Sequence, residues 1–243
     1  MKSNLTLPSS VEERISGWVR IQERRQGANP GRNKPRPAVT LSRQFGCEGF
    51  PVALALQALF ESASGEPWCI LDKELVDRIA QDEHNSPQLL GHLEDPARYL
   101  EDFGFHPRGA FTADQAFARI AIHIIHFARE GNAILVGRGG AILCSQLETC
   151  FHFRLEASLD WRLDSLVRRL GVTTREALEK EKAQTRGREH FIREHLGADV
   201  SDRSFYDAVF NNERHGVPEI AAAIFGYVRS GWKGGGGGQA WAK

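Results

Sequence analysis

Apolar positions along this chain fall into two patterns, short dense runs and longer stretches at helical spacing. Val39, Thr40 and Leu41 form a β-prone run. A polar turn with two glycines follows from Ser42 to Gly49, and Pro51 then opens an apolar, helix-prone run from Val52 to Phe60. Proline suits the first turn of a helix, because its missing N–H has no partner there in any case. Trp68 to Leu71 (WCIL) reads as a second buried strand that ends on Asp72, with the helix KELVDRIAQ after it. Asp114 to Glu130 is amphipathic at the helical period and stops at Gly131-Asn132. Ala133 to Gly137 (AILVG) reads as a third strand and Cys150 to Leu155 (CFHFRL) as a fourth. Ser158 to Leu170 is a helix stopped by Gly171. Thr173 or Thr174 caps a long charged helix, in which Gly187 between Arg186 and Arg188 marks a break. Phe205 to Phe210 (FYDAVF) reads as the fifth strand, and Val217 to Arg229 as the closing helix.

Strands that alternate with helices predict an α/β fold, a five-stranded parallel sheet with helices on both faces. The core domain spans 38–230. Before it, residues 1–26 form a helical extension, VEERISGWVRIQERR, with an apolar stripe of Ile15, Trp18, Val19 and Ile21. That stripe is expected to pack on the domain or on a second subunit, as a homodimer. A Pro/Gly/basic linker covers 27–37. The stretch from Gln81 to Thr112, broken by Pro87, Pro96, Gly104 and Pro107, reads as an insertion. The Gly-rich tail over 231–243 is expected to be disordered.

Lys plus Arg and Asp plus Glu number 31 each, so the chain has no net charge to draw it to nucleic acid or an acidic membrane. Arginines nevertheless gather between Arg162 and Arg214, enough to bind a phosphate locally. Four scattered cysteines with no zinc spacing, and no signal-peptide core or membrane-length apolar run, fit a reduced cytoplasmic protein. His123 and His126 fall at i, i+3, a spacing metals use, but neither a carboxylate nor a third histidine joins them, and no metal site is expected there.

The strand, glycine turn and helix over 39–60 aim backbone N–H groups and a helix dipole at one point, where a phosphate fits. Gly46 and Gly49 would let the backbone approach it without a Cβ. An ordinary strand-to-helix turn has the same outline. The usual phosphate loop carries a lysine where this chain has Gly49, and Phe50 and Pro51 follow, so no hydroxyl is placed for magnesium. Asp72, at the carboxyl end of a strand, either faces the ligand crevice or caps the next helix. Arg138 sits between glycines at another strand end, where its planar fork can reach a phosphate.

Taken in order, these segments resemble the cytidylate-kinase-like branch of the P-loop nucleotide kinases, over about Val39 to Val228. SRQFGCEG is similar to that branch's lysine-poor SRxxGSGG loop. Leu71 to Leu75 is similar to its DKEL segment, and Val136 to Gly140 resembles its GRG loop, placed like the GRD loop of true cytidylate kinases. Arg186 to Leu196, with Phe205-Tyr206-Asp207 and Asn211, resembles its lid and last strand. The resemblance implies a helical acceptor-binding insertion and an arginine lid over about 173–200. It implies that Ser42, Arg43, Gln44, Gly46, Cys47, Glu48 and Gly49 hold the phosphates of ATP with Mg2+. Asp72 and Arg138 would face the acceptor, and Arg186, Arg188 and Arg43 would neutralise the transferring group. The chain has Gly139 where the GRD pattern of true cytidylate kinases has its acid, and Cys47-Glu48 in place of the small Ser-Gly pair.

Phosphoryl transfer to a nucleoside monophosphate is therefore the leading expectation, with arginines in place of the loop lysine. A non-catalytic nucleotide-binding regulator on the same fold is the alternative. A dinucleotide-dependent oxidoreductase, with Asp72 on a ribose hydroxyl, lacks the third glycine of its fingerprint and has no use for an arginine lid.

Overall fold

The computed structural model describes residues 36–81 and 113–232. The expected N-terminal helix with its dimer contact, nearly all of the linker and the insertion, and almost all of the tail lie outside the described residues. In order come β1 (Ala38–Arg43), α1 (Gly49–Ser64), β2 (Cys69–Leu71), α2 (Lys73–Gln81), α3 (Ala113–Glu130) and β3 (Ala133–Val136). They are followed by α4 (Gly140–Leu143), β4 (Cys150–Glu156), α5 (Leu159–Leu170), α6 (Thr174–Leu196), β5 (Ala208–Asn211) and α7 (Val217–Gly231). The five strands form one sheet in the order β2-β3-β1-β4-β5, every pair parallel.

A sheet covered on both faces demands apolar residues on both sides of each strand. Ala38, Cys69, Leu71, Ala133, Leu135 and Cys150 turn to one face and pack on α2, α3 and α4. Val39, Leu41, Ile70, Ile134, Val136, Phe153 and Leu155 turn to the other, against α1 and α7. Central β1 aligns Leu41 with Val136 on one side and with Phe153 on the other. The carboxyl ends of β1, β3 and β4 thus open together, at the edge where α/β sheets bind ligands. Among the described residues no helix is long and apolar enough to cross a membrane.

Three sequence expectations shift. Strand β1 runs on through Ser42 and Arg43, so the turn proper is Gln44 to Glu48. The fifth strand begins at Ala208 rather than Phe205. Arg203–Phe205 is a 3-10 turn capped by Asp202, whose Oδ1 accepts from Ser204 N at 2.9 Å. The Asp207 carboxylate accepts from His152 N at 2.6 Å, which secures the β5 end to the middle of β4. The third shift is the largest. Helix α6 is continuous from Thr174 to Leu196, with no break at Gly187. A capping box starts it, Thr173 Oγ1 accepting from Glu176 N while Glu176 Oε2 accepts from Thr173 N at 2.8 Å. Gly197 ends it in the left-handed conformation.

Candidate active site

The turn after β1 is a close-packed piece of backbone. Gly46 has φ +102°, and a Cβ there would lie 2.6 Å from Arg162 Cβ and 2.8 Å from Arg162 O. This glycine is required by α5 pressing on the loop, and the approach of a phosphate is not needed to explain it. Gly49 opens α1, and a Cβ there would lie 3.1 Å from Arg43 Cδ. The Arg43 side chain therefore passes over Gly49 and reaches Gly137, where a Cβ would fall 2.0 Å from Arg43 Nη1. Both glycines make room for an arginine that lies across the turn where a loop lysine is otherwise found.

Arg43 is joined by Arg188. Arg188 Nη1 donates to the Arg43 carbonyl at 2.5 Å. Burial, with the Arg188 charge beside it, pulls the Arg43 guanidinium down to about 10, still cationic near neutrality, and Asp72 opposes that shift. Burial and the charge of Arg154 lower Arg188 likewise. Two like charges held together this way leave a focus of positive potential at the mouth of the turn.

Two more arginines grip the loop from α5. Arg162 Nη1 donates to Phe45 O at 3.0 Å and Arg169 Nη2 to Gly46 O at 2.6 Å. The loop amides divide accordingly. Gln44 N donates to Leu155 O, Cys47 N to Gln44 O and Glu48 N to Asn212 Oδ1. Among the described residues Phe45, Gly46 and Gly49 donate no such hydrogen bond, so their N–H groups remain for an anion. Cys47 is buried, which pushes its thiol up to about 11 against the pull of Arg162, Arg154 and Arg169. It stays a neutral thiol and adds no negative charge. Glu48 has Arg169 as its neighbour.

Beside the loop lies a cleft of about 460 Å³, lined among others by Arg43, Phe50, Asp72, Lys73, Asp77 and Val136. Asp72 both caps α2, its Oδ1 accepting from Leu75 N at 3.0 Å, and lines the cleft. Arg138 takes a left-handed φ of +55° that turns it toward α2. There it pairs with Asp77, which Lys73 Nζ also reaches at 3.2 Å. The Arg138 guanidinium lies 5.4 Å from the Phe191 ring of α6. Its charge is committed to Asp77, and Lys73 and Arg78 line the cleft as further cations.

Helix α6 roofs this region. Gly139, where related loops carry an acid, has φ +71°, and a Cβ there would lie 2.5 Å from Leu196 Cδ1 and 3.0 Å from Ile192 Cδ1. A side chain there would have to take a left-handed backbone conformation and displace the ends of Leu196 and Ile192. Because α6 is unbroken, Arg188 turns inward while Arg186 is exposed, two residues and about 200° away around a regular helix. The structure brings Arg43 and Arg188 together and leaves Arg186 outside. Ser42 is buried within β1, and Gln44 Oε1 accepts from Ala157 N at 3.0 Å, so both support the loop from below.

Sequence reasoning missed Arg162, Arg169, Glu181, Asn212, Lys73 and Asp77. Arg162 and Arg169 fell within the arginine-rich stretch without a role of their own, and Lys73 and Asp77 carried a local signal, opposite charges four apart on one helix. Magnesium usually rides on the nucleotide's phosphates with one or two carboxylates. Asp72, at the cleft wall near Arg43, fits that supporting role, and no cluster of three ligating side chains stands ready among the described residues. His123 is buried in α3 beside His126.

A family model described as the cytidylate kinase-like family matches residues 38–214. Among solved structures, the chain is similar to an uncharacterized protein from Eubacterium ventriosum, at 21% identity and a TM-score of 0.60, over 80% of this chain and 99% of that one. TT1252 from Thermus thermophilus aligns at 14% identity and a TM-score of 0.42, over 81% of this chain and 98% of that one. The first likeness bears on the fold alone. No curated protein matches the chain.

Proposed function

The chain belongs to the cytidylate kinase-like family, and from that premise we propose that it transfers the terminal phosphoryl group of ATP, with Mg2+, to a small acceptor, a nucleoside monophosphate. Such transfer needs positioning and neutralisation of charge more than covalent help from the protein. One observation carries the reading. Arg188 Nη1 is bonded to the Arg43 carbonyl while the Arg43 side chain crosses Gly49 to Gly137, so two cations meet where the lysine is missing. In this reading the free N–H groups of Phe45, Gly46 and Gly49 hold the donor's phosphates. Arg43 and Arg188 offset the charge of the group in flight, and Asp72, Lys73 and the Arg138–Asp77 pair set the acceptor in the cleft. Asp72 would help hold the magnesium that arrives with the nucleotide, and that ion would offset the negative charge of the phosphates.

The second reading is a nucleotide-binding regulator without turnover. It is favoured by Cys47 N and Glu48 N, which are already bonded to Gln44 O and Asn212 Oδ1 and so give the loop fewer amides for a phosphate. ATP consumption measured against a panel of nucleoside monophosphates separates the two. The kinase reading expects turnover on at least one of them, and Arg188→Ala to lower it by roughly 10³–10⁵, the range of an arginine acting on a transferring phosphoryl group. ATP binding with no consumption on any acceptor would leave the regulator.

A further inference from the structure

Arg162 and Glu181 form a buried ion pair between α5 and α6. Arg162 on α5 is 8% exposed and Glu181 on α6 is 7% exposed, and Arg162 Nη1 meets Glu181 Oε1 at 2.5 Å. Taking two charges out of water is costly, and a hydrophobic pair of the same volume is often as stable. Here the pair is bonded at both ends. Glu181 Oε1 also accepts from Thr185 Oγ1 at 2.8 Å. Arg162 donates from Nε to Ala157 O at 3.3 Å and from Nη1 to Phe45 O at 3.0 Å. Its own Cβ and carbonyl are what exclude a side chain at Gly46.

The Phe45 contact has a directional effect. In a trans peptide the carbonyl of one residue and the N–H of the next point opposite ways. With Phe45 O held toward α5 by Arg162, the Gly46 N–H faces away from α5, and it is one of the loop amides with no partner among the described residues. The same guanidinium is held by a carboxylate on α6. Along that helix, Arg188 reaches Arg43 O, Phe191 lies by Arg138, and Ile192 and Leu196 cover Gly139. Glu181 is thus the joint between the helix that covers the turns after β1 and β3 and the peptide that presents Gly46.

We infer that Arg162 and Glu181 are a positioning pair that couples occupancy of the loop to docking of α6 over the turns after β1 and β3. The inference rests on the nucleotide-binding reading above. Coupling is reciprocal: a nucleotide that orders the Gly46 amide favours the docked helix, and loss of the joint weakens the nucleotide.

The test is amide hydrogen exchange on the full chain, with and without the nonhydrolysable imido analogue of ATP plus magnesium, and a binding titration alongside. In the wild type, exchange is expected to slow in the loop and along 183–196. In Glu181→Gln at saturating nucleotide the loop still slows, the response along 183–196 is lost, and affinity falls by about fivefold or more, the lower end of ordinary coupling between sites. The double variant Arg162→Met/Glu181→Leu removes both charges together, avoids an unpaired buried ion and is expected to show the same loss. A wild-type α6 that ignores bound nucleotide overturns the coupling and leaves the nucleotide reading standing. So does either variant if it responds like the wild type. If neither variant folds, the pair is structural only and the inference fails. No binding by the wild type removes the nucleotide reading, and the inference with it.

Discussion

Gly139 and Gly46 show how a single missing Cβ is decided by what lies above it. Leu196 and Ile192 sit on the Gly139 position, whose φ of +71° is itself unfavourable to a side chain. Gly139→Asp, which restores the acid of the GRD pattern, is expected to destabilise by about 1–3 kcal/mol through strain and a displaced α6. Thermal unfolding would register that as a fall of roughly 2–4 °C for each kcal/mol in a domain of this size. An unchanged melting temperature would show that the α6 packing over this loop is wrong. His123 supplies a residue-scale pH dependence. Burial, with the neighbouring His126 charge, lowers it from the ordinary 6.5 to about 4. Between these values the unfolded chain binds the extra proton, so stability is full above about pH 6.5 and declines as pH falls toward 4. Complete, the loss is on the order of 3 kcal/mol. Burial lowers His152 as well, which adds loss of the same sign. Urea unfolding of the wild type and His123→Leu at pH 7 and pH 4 checks it, the variant being expected to lose less.

At the scale of an element, α6 is the helix whose continuity matters. Gly187 stands inside it, exposed, and a Cβ there would meet nothing within 4 Å. Glycine inside a helix costs roughly 0.5–1 kcal/mol relative to alanine. Gly187→Ala is therefore expected to stabilise the protein by up to about that amount and to leave turnover in place. Arg186→Ala, on the exposed side, is expected to change turnover little. Collapse of activity in either variant would restore a hinge at Gly187 and with it the two-arginine arrangement that the glycine between Arg186 and Arg188 suggested. Denaturant midpoints and initial rates on the same preparations decide it.

At the scale of the whole molecule, the parallel sheet order β2-β3-β1-β4-β5 places β1 in the middle, so its turn is reached from both sides. Helix α5 grips the loop carbonyls from one side, and Arg188 and the cleft lie on the other. A ligand seated there touches elements from both halves of the sheet and is expected to stabilise the fold cooperatively. With ATP and magnesium at about a hundred times the dissociation constant, the gain is about 2.7 kcal/mol. The melting temperature should then rise by roughly 5–11 °C, at 2–4 °C for each kcal/mol. Adenosine with magnesium, which has no phosphate for the loop, is the control and should give little. Equal shifts from both would place the binding energy away from the loop.

Local chemistry settled much of this chain before any packing was considered. The strand around 39–41, the helix opened near Pro51, the caps at Thr173 and Gly171 and the cap at Asp72 rest on near neighbours, whose preferences are written in the chain itself. The parallel α/β class follows from their alternation. What sequence could not supply is which side chains meet across long separations. Arg162 and Phe45 are 117 residues apart, and Arg188 and Arg43 are 145 apart. No periodicity spans such distances, and an arginine in a charged helix looks the same whether it is solvated or bonded to a loop carbonyl. Gly187 misled for the converse reason, because glycine marks a permitted break that only packing can make or withhold. Gly46 and Gly139 were visible as glycines, but the atoms that demand them belong to α5 and α6, and only the fold brings those helices over the ends of β1 and β3.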